Sequence, residues 1–405
     1  MILRARGLLC PDGSVRESAS LLVVEGRIER LLLDSAAVRR ASGPGTRVHD
    51  LGDGFLLPGL VDAHAHLELS ALRGRLPGTK GFGAWIRGLL AARPELRPED
   101  YRLGVEEGAR RLLAGGTTAV GDIASTESGA HAARGAMRSI VYREVLDAWD
   151  PGRTESALRT VSRALPGRRA RSEGISPHAP YTTSEGLLRR VGELARRRRL
   201  PVTVHWAEIE AEVSWLRDGS GPLATYLRTS PRTTGLDLLH GAGLLNRRTS
   251  LAHGNHPGRG DARRLTRHGI VLVHCPGTHR FFEREPFPLR HYRRAGVEVA
   301  LGTDSLASNE DLDMRREMAL FRSAHPEVAP AEVLRMATSA GARALGLFDQ
   351  VGALRRGLRA DVALHHVDSR DPSRVLDAVT NGESVVREVW VAGRRCPFRS
   401  TEPLP

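Results

Sequence analysis

Lysine is almost absent from this sequence, since Lys80 is the only one among 60 basic residues. The other basic residues are arginines spread along the chain, so the formal net charge of +13 does not gather on one predicted face. Net charge of this kind governs non-specific association rather than fold. Aromatic residues make up only 4% of the chain and offer few platforms for stacking on bases. These observations argue against nucleic-acid binding.

Cysteine is also scarce, and the sequence has no long apolar run. Cys10, Cys275 and Cys396 lie far apart and form no CxxC pair. This spacing excludes a zinc site built from cysteines and indicates a reducing compartment. The first residues lack the apolar segment of a signal peptide, and no later stretch is long enough to span a bilayer. We therefore expect a cytoplasmic protein without a membrane partner.

Short apolar strands alternate with longer helical patterns through the middle of the chain, as in repeated βαβ units. The predicted strands are Phe55–His64, Thr117–Ile123, Ser139–Val145, Glu173–Pro177, Pro201–His205, Ser250–His253, Ile270–His274 and Val297–Asp304. Eight such units predict an α/β protein with a (β/α)₈ TIM barrel. An open doubly wound sheet is the alternative, but no glycine-rich phosphate-binding motif follows the first strand.

The two ends of the chain show a different sequence pattern, which predicts short strands separated by turns such as Pro11-Asp12-Gly13. Two strand-rich ends around a different middle predict one small domain assembled from both termini. We therefore expect a β-sandwich domain from residues 1–55 and 352–405, and a barrel domain from residues 56–351.

Polar side chains lie at the predicted ends of the barrel strands, where TIM barrels carry their active sites. His64 and His66 end the first strand, and side chains two apart in a strand share a face. His205 ends the fifth strand and Asp304 ends the eighth. Three imidazoles and a carboxylate suit a divalent metal, which lowers the pKa of a bound water from ~15.7 toward about 7. These four residues are the predicted metal ligands, and Asp304 is also placed to take the proton of that water.

Two further residues complete the predicted chemistry. Glu208 lies three residues after His205 and is predicted to shuttle a proton without binding the metal. His253 ends the sixth strand and is predicted to orient the attacking water. Glu210 and Glu212 are predicted to be solvated residues of a loop or of the start of a helix.

Four candidate substrate contacts are less constrained by the sequence. His178 follows the fourth strand and either contacts substrate or approaches the metal, or it is hydrogen-bonded within its loop. Trp85 either stacks on a flat heterocycle or packs in the core. His279 and Arg280 are predicted specificity elements for a carboxylate or a sugar hydroxyl. His274 is predicted to be structural or to line the pocket.

Five motifs resemble the amidohydrolase superfamily, in particular its cytosine deaminase and chlorohydrolase-like branch. They are PGLVDAHAH at 58–66, PHAPY at 177–181, HWAE at 205–208, LAHG at 251–254 and LGTDSLASN at 301–309. The segment GALRRGLRAD at 352–361 is similar to the family's return into its β-sandwich. The segment VHCPGTHRFF at 273–282 departs from the family, in which asparagine often follows Cys-Pro.

The resemblance implies the same site residues. His64, His66, His205 and Asp304 would hold one Zn²⁺ or Fe²⁺, with Glu208 as the proton shuttle, His253 as the water-orienting histidine and His178 as a substrate contact. Binuclear relatives bridge two metals with a carbamylated lysine at the end of the fourth strand, whereas Lys80 lies after the first strand. Glu144 is either a bridging ligand or a structural carboxylate, and the structural role is favoured. One metal per chain is therefore expected.

The resemblance also implies a metal-dependent aminohydrolase that deaminates a 6-aminopurine nucleoside. Metal-bound hydroxide would attack the amino-bearing carbon, and ammonia would leave. Aminodeoxyfutalosine, S-adenosylhomocysteine and methylthioadenosine are the favoured substrates, and hydrolysis of a cyclic amide, guanidine or halogenated heterocycle is the alternative. A non-catalytic barrel would show eroded ligands, whereas the set is complete. The expected partner is a small molecule, both a monomer and a homodimer are open, and residues 67–87 are predicted to be the mobile loop.

Overall fold

The computed structural model describes residues 1–76, 81–165, 172–227, 229–369 and 371–398, apart from the side chains of residues 132–136. Residues 77–80 of the predicted mobile loop, which include Lys80, and residues 399–405 of the predicted sandwich lie outside this part of the chain. Among the described residues, no helix combines the length and the apolar composition that crossing a bilayer requires.

The described strands, in chain order, are β1 (Ile2–Arg4), β2 (Gly7–Leu9), β3 (Val15–Glu17), β4 (Ser20–Val24), β5 (Arg27–Leu32), β6 (Val48–Asp50), β7 (Phe55–Pro58), β8 (Leu60–Ala65), β9 (Thr117–Ala124), β10 (Arg138–Val145), β11 (Glu173–Pro177), β12 (Val202–Trp206), β13 (Thr249–His253), β14 (Val271–His274), β15 (Glu298–Leu301), β16 (Val362–His366), β17 (Val385–Val391) and β18 (Arg394–Cys396).

The described α-helices are α1 (Ser35–Ala41), α2 (Phe82–Ala92), α3 (Pro98–Ala114), α4 (Glu127–Ala136), α5 (Pro151–Ala164), α6 (Glu185–Arg198), α7 (Glu210–Asp218), α8 (Gly235–Gly241), α9 (Asp261–His268), α10 (Pro276–Phe281), α11 (Leu289–Ala295), α12 (Met314–Ala324), α13 (Pro330–Arg335), α14 (Gly341–Ala344) and α15 (Val375–Thr380). Short 3₁₀ turns cover Leu67–Leu72, Arg93–Glu95, Pro222–Thr225 and Pro372–Arg374, and Met336–Ala340 is a π-helical turn.

The predicted (β/α)₈ barrel is confirmed. Strands β8 to β15 form one parallel sheet in which each strand pairs with the next along the chain. The first and last strands meet through a parallel bridge between Ala65 and Asp304, with the His66 amide donating to the Asp304 carbonyl at 2.8 Å. Because all eight strands run the same way, their carboxyl ends open at one mouth.

The prediction of a single first strand over Phe55–His64 was wrong. β7 pairs with β2 and β16 in a terminal sheet, whereas β8 pairs with β9 in the barrel. Gly59 separates the two strands at a point of close approach, because a Cβ there would lie 2.2 Å from the Thr118 hydroxyl oxygen. Because the apolar run is continuous, it does not indicate that the chain passes at this point from one sheet to the other.

The predicted end of the eighth strand was also too late. β15 ends at Leu301, and Asp304 lies three residues beyond it with φ of 62°. A positive φ is sterically unfavourable for a residue with a Cβ, so the backbone here leaves the extended conformation. Asp304 reaches the barrel mouth from a bent segment rather than from a strand.

Both termini build the remaining sheets, as expected for a small β-sandwich. One sheet has the order β5-β4-β1-β6, and the other has the order β18-β17-β16-β7-β2-β3. A shared apolar cluster joins them, with Leu3 and Ile28 from the first sheet and Leu8, Leu56 and Trp390 from the second. The division at residues 55–56 and 351–352 stays a prediction.

Candidate active site

Four imidazoles converge at the barrel mouth. His64 and His66 come from β8 and the residue after it, His205 from β12 and His253 from the end of β13. The His64 ring centroid lies 4.9 Å from that of His205 and 5.4 Å from that of His253. Burial lowers the pKa of His64, His66 and His253 well below the ordinary value, and the neighbouring imidazoles lower it further. All three are therefore neutral, which is the form that binds metals.

Several ring nitrogens of this cluster lie close together without hydrogen-bond partners in the described part of the chain. The Nδ1 of His205 donates to the His178 carbonyl at 2.8 Å, which leaves the lone pair on Nε2. That Nε2 lies 3.1 Å from the Nε2 of His66. Both ring nitrogens of His64 and the Nε2 of His253 are buried with no hydrogen-bond partner among the described residues. Buried nitrogens in this state are costly, and a shared cation would satisfy them.

The residues present fit a borderline divalent metal such as zinc. Ligand atoms lie within 4.8 Å of one another in the set His64, His66 and Asp304, and in the set His64, His205 and His253. Burial raises the pKa of Asp304 to about 7, with the nearby Glu208 as the next cause. Imidazole nitrogens and one carboxylate form a donor set typical of Zn²⁺.

Asp62, which the sequence reasoning passed over, joins the strand that carries the first proposed ligand to the segment that carries the last one. Its buried carboxylate accepts the amide of His64 at 3.1 Å and the Thr303 amide at 3.2 Å. It also accepts the Thr303 hydroxyl at 2.5 Å. One carboxylate thus links β8 to the segment that ends in Asp304. The signal was available in the PGLVDAHAH motif, where Asp62 lies two residues before His64.

Glu208 lies just past β12 and faces the cluster. Its side chain is 8% exposed, and its Oε2 lies 3.8 Å from the Nε2 of His253. Ala207, with φ of 48°, turns the chain so that Glu208 follows a strand end and points inward. The side-chain amide of Asn255 donates to the Glu208 carbonyl at 3.0 Å and holds this turn.

The prediction for Glu212 was wrong, although that for Glu210 is confirmed by its exposure at the start of α7. Glu212 is 1% exposed, and its carboxylate accepts the amides of Ala207 and Glu208, both at 3.0 Å. Burial raises the pKa of Glu212 to about 8. This carboxylate stabilises the sharp turn that presents Glu208, which is a backbone contact that spacing alone does not reveal.

Arg284 is a site residue that the sequence reasoning missed. It lies between α10 and α11, and its Nη2 donates to the Oε1 of Glu208 at 2.6 Å. The two side chains are 10% and 8% exposed, so this ion pair is largely shielded from water. The guanidinium carbon also lies 4.9 Å from the centroid of the Phe282 ring.

The candidate substrate contacts take different places. His178 lies beside the cluster, with its ring centroid 4.8 Å from that of His205 and its Nδ1 bonded to the Thr182 hydroxyl at 2.7 Å. Trp85 is 8% exposed in an apolar cluster, and its indole nitrogen donates to the Ala307 carbonyl at 2.6 Å, which favours the packing interpretation.

The two predicted specificity residues also differ from each other. The Nε2 of His279 bonds the Glu285 carbonyl at 2.7 Å, whereas Arg280 is exposed at the end of α10. His274 stacks on Phe287 with ring centroids 3.9 Å apart, as expected for a structural residue.

A cavity of about 400 Å³ lies beside the histidine cluster, at the ends of β9 and β10. Arg93, Arg143 and Arg153 line it together with the hydroxyl groups of Ser125 and Ser156. Glu144 belongs to both regions, because it lines this cavity and its carboxylate lies within 4.8 Å of ligand atoms of His178 and His205. Glu127 also lines the cavity and pairs with Arg143 at 3.1 Å, so part of the positive charge of the cavity is neutralised within the protein.

The sequence of this site fits one family. The sequence model of the amidohydrolase family matches residues 55–396. The chain belongs to the amidohydrolase family. Over 378 residues this amidohydrolase is 33% identical to the 5-methylthioadenosine/S-adenosylhomocysteine deaminase of Thermococcus kodakarensis, covering 88% of this chain and 85% of that protein.

Two further comparisons agree with this membership. The amidohydrolase is 32% identical over 328 residues to the aminodeoxyfutalosine deaminase of Deinococcus radiodurans, covering 75% of each protein. The crystal structure of an adenosine deaminase from Xanthomonas campestris with bound zinc superimposes with a TM-score of 0.79 and 26% identity, covering 97% of this chain and 92% of that one.

Proposed function

We propose that this amidohydrolase is a metal-dependent deaminase of 6-aminopurine nucleosides. The ligands in this proposal are His64, His66, His205 and Asp304, with one Zn²⁺ per chain favoured over Fe²⁺. The proposal rests on two overlapping sets of possible ligand atoms, His64 with His66 and Asp304, and His64 with His205 and His253. Buried imidazole nitrogens of His64 and His253 have no hydrogen-bond partner among the described residues, and Glu208 lies 3.8 Å from His253. The reducing compartment indicated by the cysteines and a cytoplasmic location are part of the same proposal.

A divalent metal held by these residues would supply Lewis acidity and lower the pKa of a coordinated water toward about 7. Asp304 accepts the proton that the water loses as its oxygen adds to the amino-bearing carbon. Glu208 carries a proton to the adjacent ring nitrogen, and His253, 3.8 Å from Glu208, hydrogen-bonds the added oxygen. Asp304 then passes its proton to the amino group, which leaves as ammonia, and Glu208 recovers the second proton of the water as the 6-oxopurine forms, so the hydrolysis balances without any redox change.

The favoured substrates are adenine nucleosides that carry a carboxylate. S-Adenosylhomocysteine and aminodeoxyfutalosine have a carboxylate, and the three arginines of the neighbouring cavity offer a complementary charge. The deaminase names of the Thermococcus kodakarensis and Deinococcus radiodurans relatives support this class. Methylthioadenosine, which has no charged substituent, is expected to be a poorer substrate.

The experiment is ammonia release by the zinc-loaded protein from a panel of adenine nucleosides. Turnover that is lost in Glu208→Gln and retained in Glu210→Gln, whose side chain is exposed two residues later, supports the proposal. No ammonia from any nucleoside, with one metal bound per chain, would contradict it. Cyclic amides, guanidines and halogenated heterocycles would then be tested for ring opening or halide release.

A further inference from the structure

The ion pair between Arg284 and Glu208 gives the proposed proton shuttle a fixed orientation. Among the described residues, Arg284 Nη2 donates a hydrogen bond to one oxygen of Glu208, Oε1, at 2.6 Å. The other oxygen, Oε2, faces His253 at 3.8 Å. The guanidinium therefore occupies the side of the carboxylate away from His253. Oε2 is therefore the oxygen of Glu208 that faces His253 and the proposed site of reaction.

Arg284 is itself held by the segment that carries it. Its backbone amide donates to the His279 carbonyl at 3.2 Å, and its guanidinium lies over the Phe282 ring. Phe282 packs in turn against Trp85 and Phe82, with ring centroids 5.5 and 5.6 Å away. These contacts place the cation before any substrate binds, and they tie the loop after β14 to helix α2.

We propose that Arg284 is a positioning residue for Glu208, holding Oε1 so that Oε2 is presented to the substrate's ring nitrogen. The inference rests on the proposed function, because it takes Glu208 to be the proton shuttle. A buried carboxylate that lost its charged donor would turn toward other donors or water, and proton transfer depends on correct geometry. Arg284 acts through Glu208 and is not proposed to touch the substrate.

The experiment compares Arg284→Ala, Arg284→Gln and Arg284→Lys in the zinc-loaded protein, with kcat, KM, zinc content and thermal unfolding measured for each. We expect kcat to fall by about 100-fold in the first two variants with KM changed by less than about threefold. The lysine variant should keep an intermediate kcat. Added guanidinium chloride at non-denaturing concentration should partly restore kcat in Arg284→Ala, and sodium chloride at equal concentration should not. Arg290→Ala, on the exposed face of α11, is the control and should match the wild type.

Coupling to Glu208 gives the decisive comparison. The double variant Glu208→Gln with Arg284→Gln should be no slower than Glu208→Gln alone, because a positioning residue has no effect once its target is gone. An independent further loss in the double variant, an unchanged kcat in Arg284→Gln, or a change confined to KM would each overturn the inference. If Arg284→Ala does not fold, the glutamine variant decides. A wild-type kcat in Glu208→Gln would instead refute the role of Glu208 in the proposed function, and this inference with it.

Discussion

The barrel mouth has two halves that differ in how their polar atoms are satisfied. On the histidine half, formed by β8, β12, β13 and the segment after β15, ring nitrogens of His64 and His253 are buried without a described partner. On the arginine half, at the ends of β9 and β10, Glu68 accepts the amides and hydroxyls of both Ser125 and Thr126. Unsatisfied lone pairs in the histidine half indicate a ligand that completes the site, whereas the buried Glu68 of the arginine half is satisfied by groups of the protein itself.

Buried hydrogen bonds and ion pairs of the protein therefore support the cavity of the arginine half. Glu68, 2% exposed, joins the turn after β8 to the loop after β9, and Arg93 lies 3.8 Å from it. Arg143 is paired with Glu127 at 3.1 Å. We infer that this half sets the shape and charge of the substrate pocket, and that the histidine half performs the chemistry.

The largest expected effect is on the histidine half. His205→Ala should lose bound zinc and lower kcat/KM by at least about 10³-fold, because the metal supplies several kcal/mol of transition-state stabilisation. Zinc content by mass spectrometry and ammonia release measure the two effects. His240→Ala, in which the lost ring faces His268 on the barrel exterior, is the matched control. A His205 variant with full zinc and full activity would remove the distinction between the halves.

The next effect concerns stability rather than chemistry. Glu68→Gln places an amide donor against donors from Ser125 and Thr126, and should lower the free energy of unfolding by about 2 kcal/mol. Glu127→Gln, whose side chain is 70% exposed at the start of α4, should change it by less than about 0.5 kcal/mol. Urea unfolding measures both variants. Equal stability in the two would show that the buried bonds of Glu68 do not support this half.

A smaller effect is expected on substrate choice. Arg153→Ala should lower kcat/KM for a carboxylate-bearing adenine nucleoside relative to methylthioadenosine by about tenfold, since one charge-assisted hydrogen bond contributes about 1.5 kcal/mol. Arg159→Ala, on α5 outside the cavity lining, is the control for loss of a positive charge. A proportional loss on both substrates would contradict the assignment of charge recognition to the arginine half.

The smallest effect is a pH dependence beneath the histidine half. Glu317 is fully buried, accepts the Gly277 amide and the Asn309 side-chain amide, both at 2.7 Å, and burial raises its pKa to about 8. The folded protein thus keeps a proton that the unfolded chain releases, so stability should fall as pH rises from about 5 to 8. Relative to Glu317→Gln, the wild-type Tm should drop by roughly 2 °C between pH 6 and pH 8.5. Parallel curves for the two proteins would rule this out.

The sequence predicted the histidine half well because its residues follow strand ends, and strand ends of a parallel barrel meet at one mouth. It did not predict Arg284, which lies in an irregular segment without periodicity and reaches Glu208 from 76 residues away. Glu68 was missed for the same reason, since its partners lie 57 and 58 residues along the chain. Glu212 was misjudged because its bonds are to backbone amides, whose availability depends on the turn at Ala207.

The first strand shows a different limit. The residues on both sides of Gly59, Phe55–Pro58 and Leu60–Ala65, are all buried. Strands that are buried on both faces have similar sequences whether they belong to a barrel or to a sandwich. Only the pairing partners separate the two sheets, and these partners are distant in sequence.

The most direct measurement is anomalous diffraction at the zinc edge from crystals grown with one equivalent of zinc. The account predicts one peak per chain, bounded by His64, His66, His205 and Asp304. A peak beside Glu144 and His178 instead, or no peak in a protein that still releases ammonia, would contradict it.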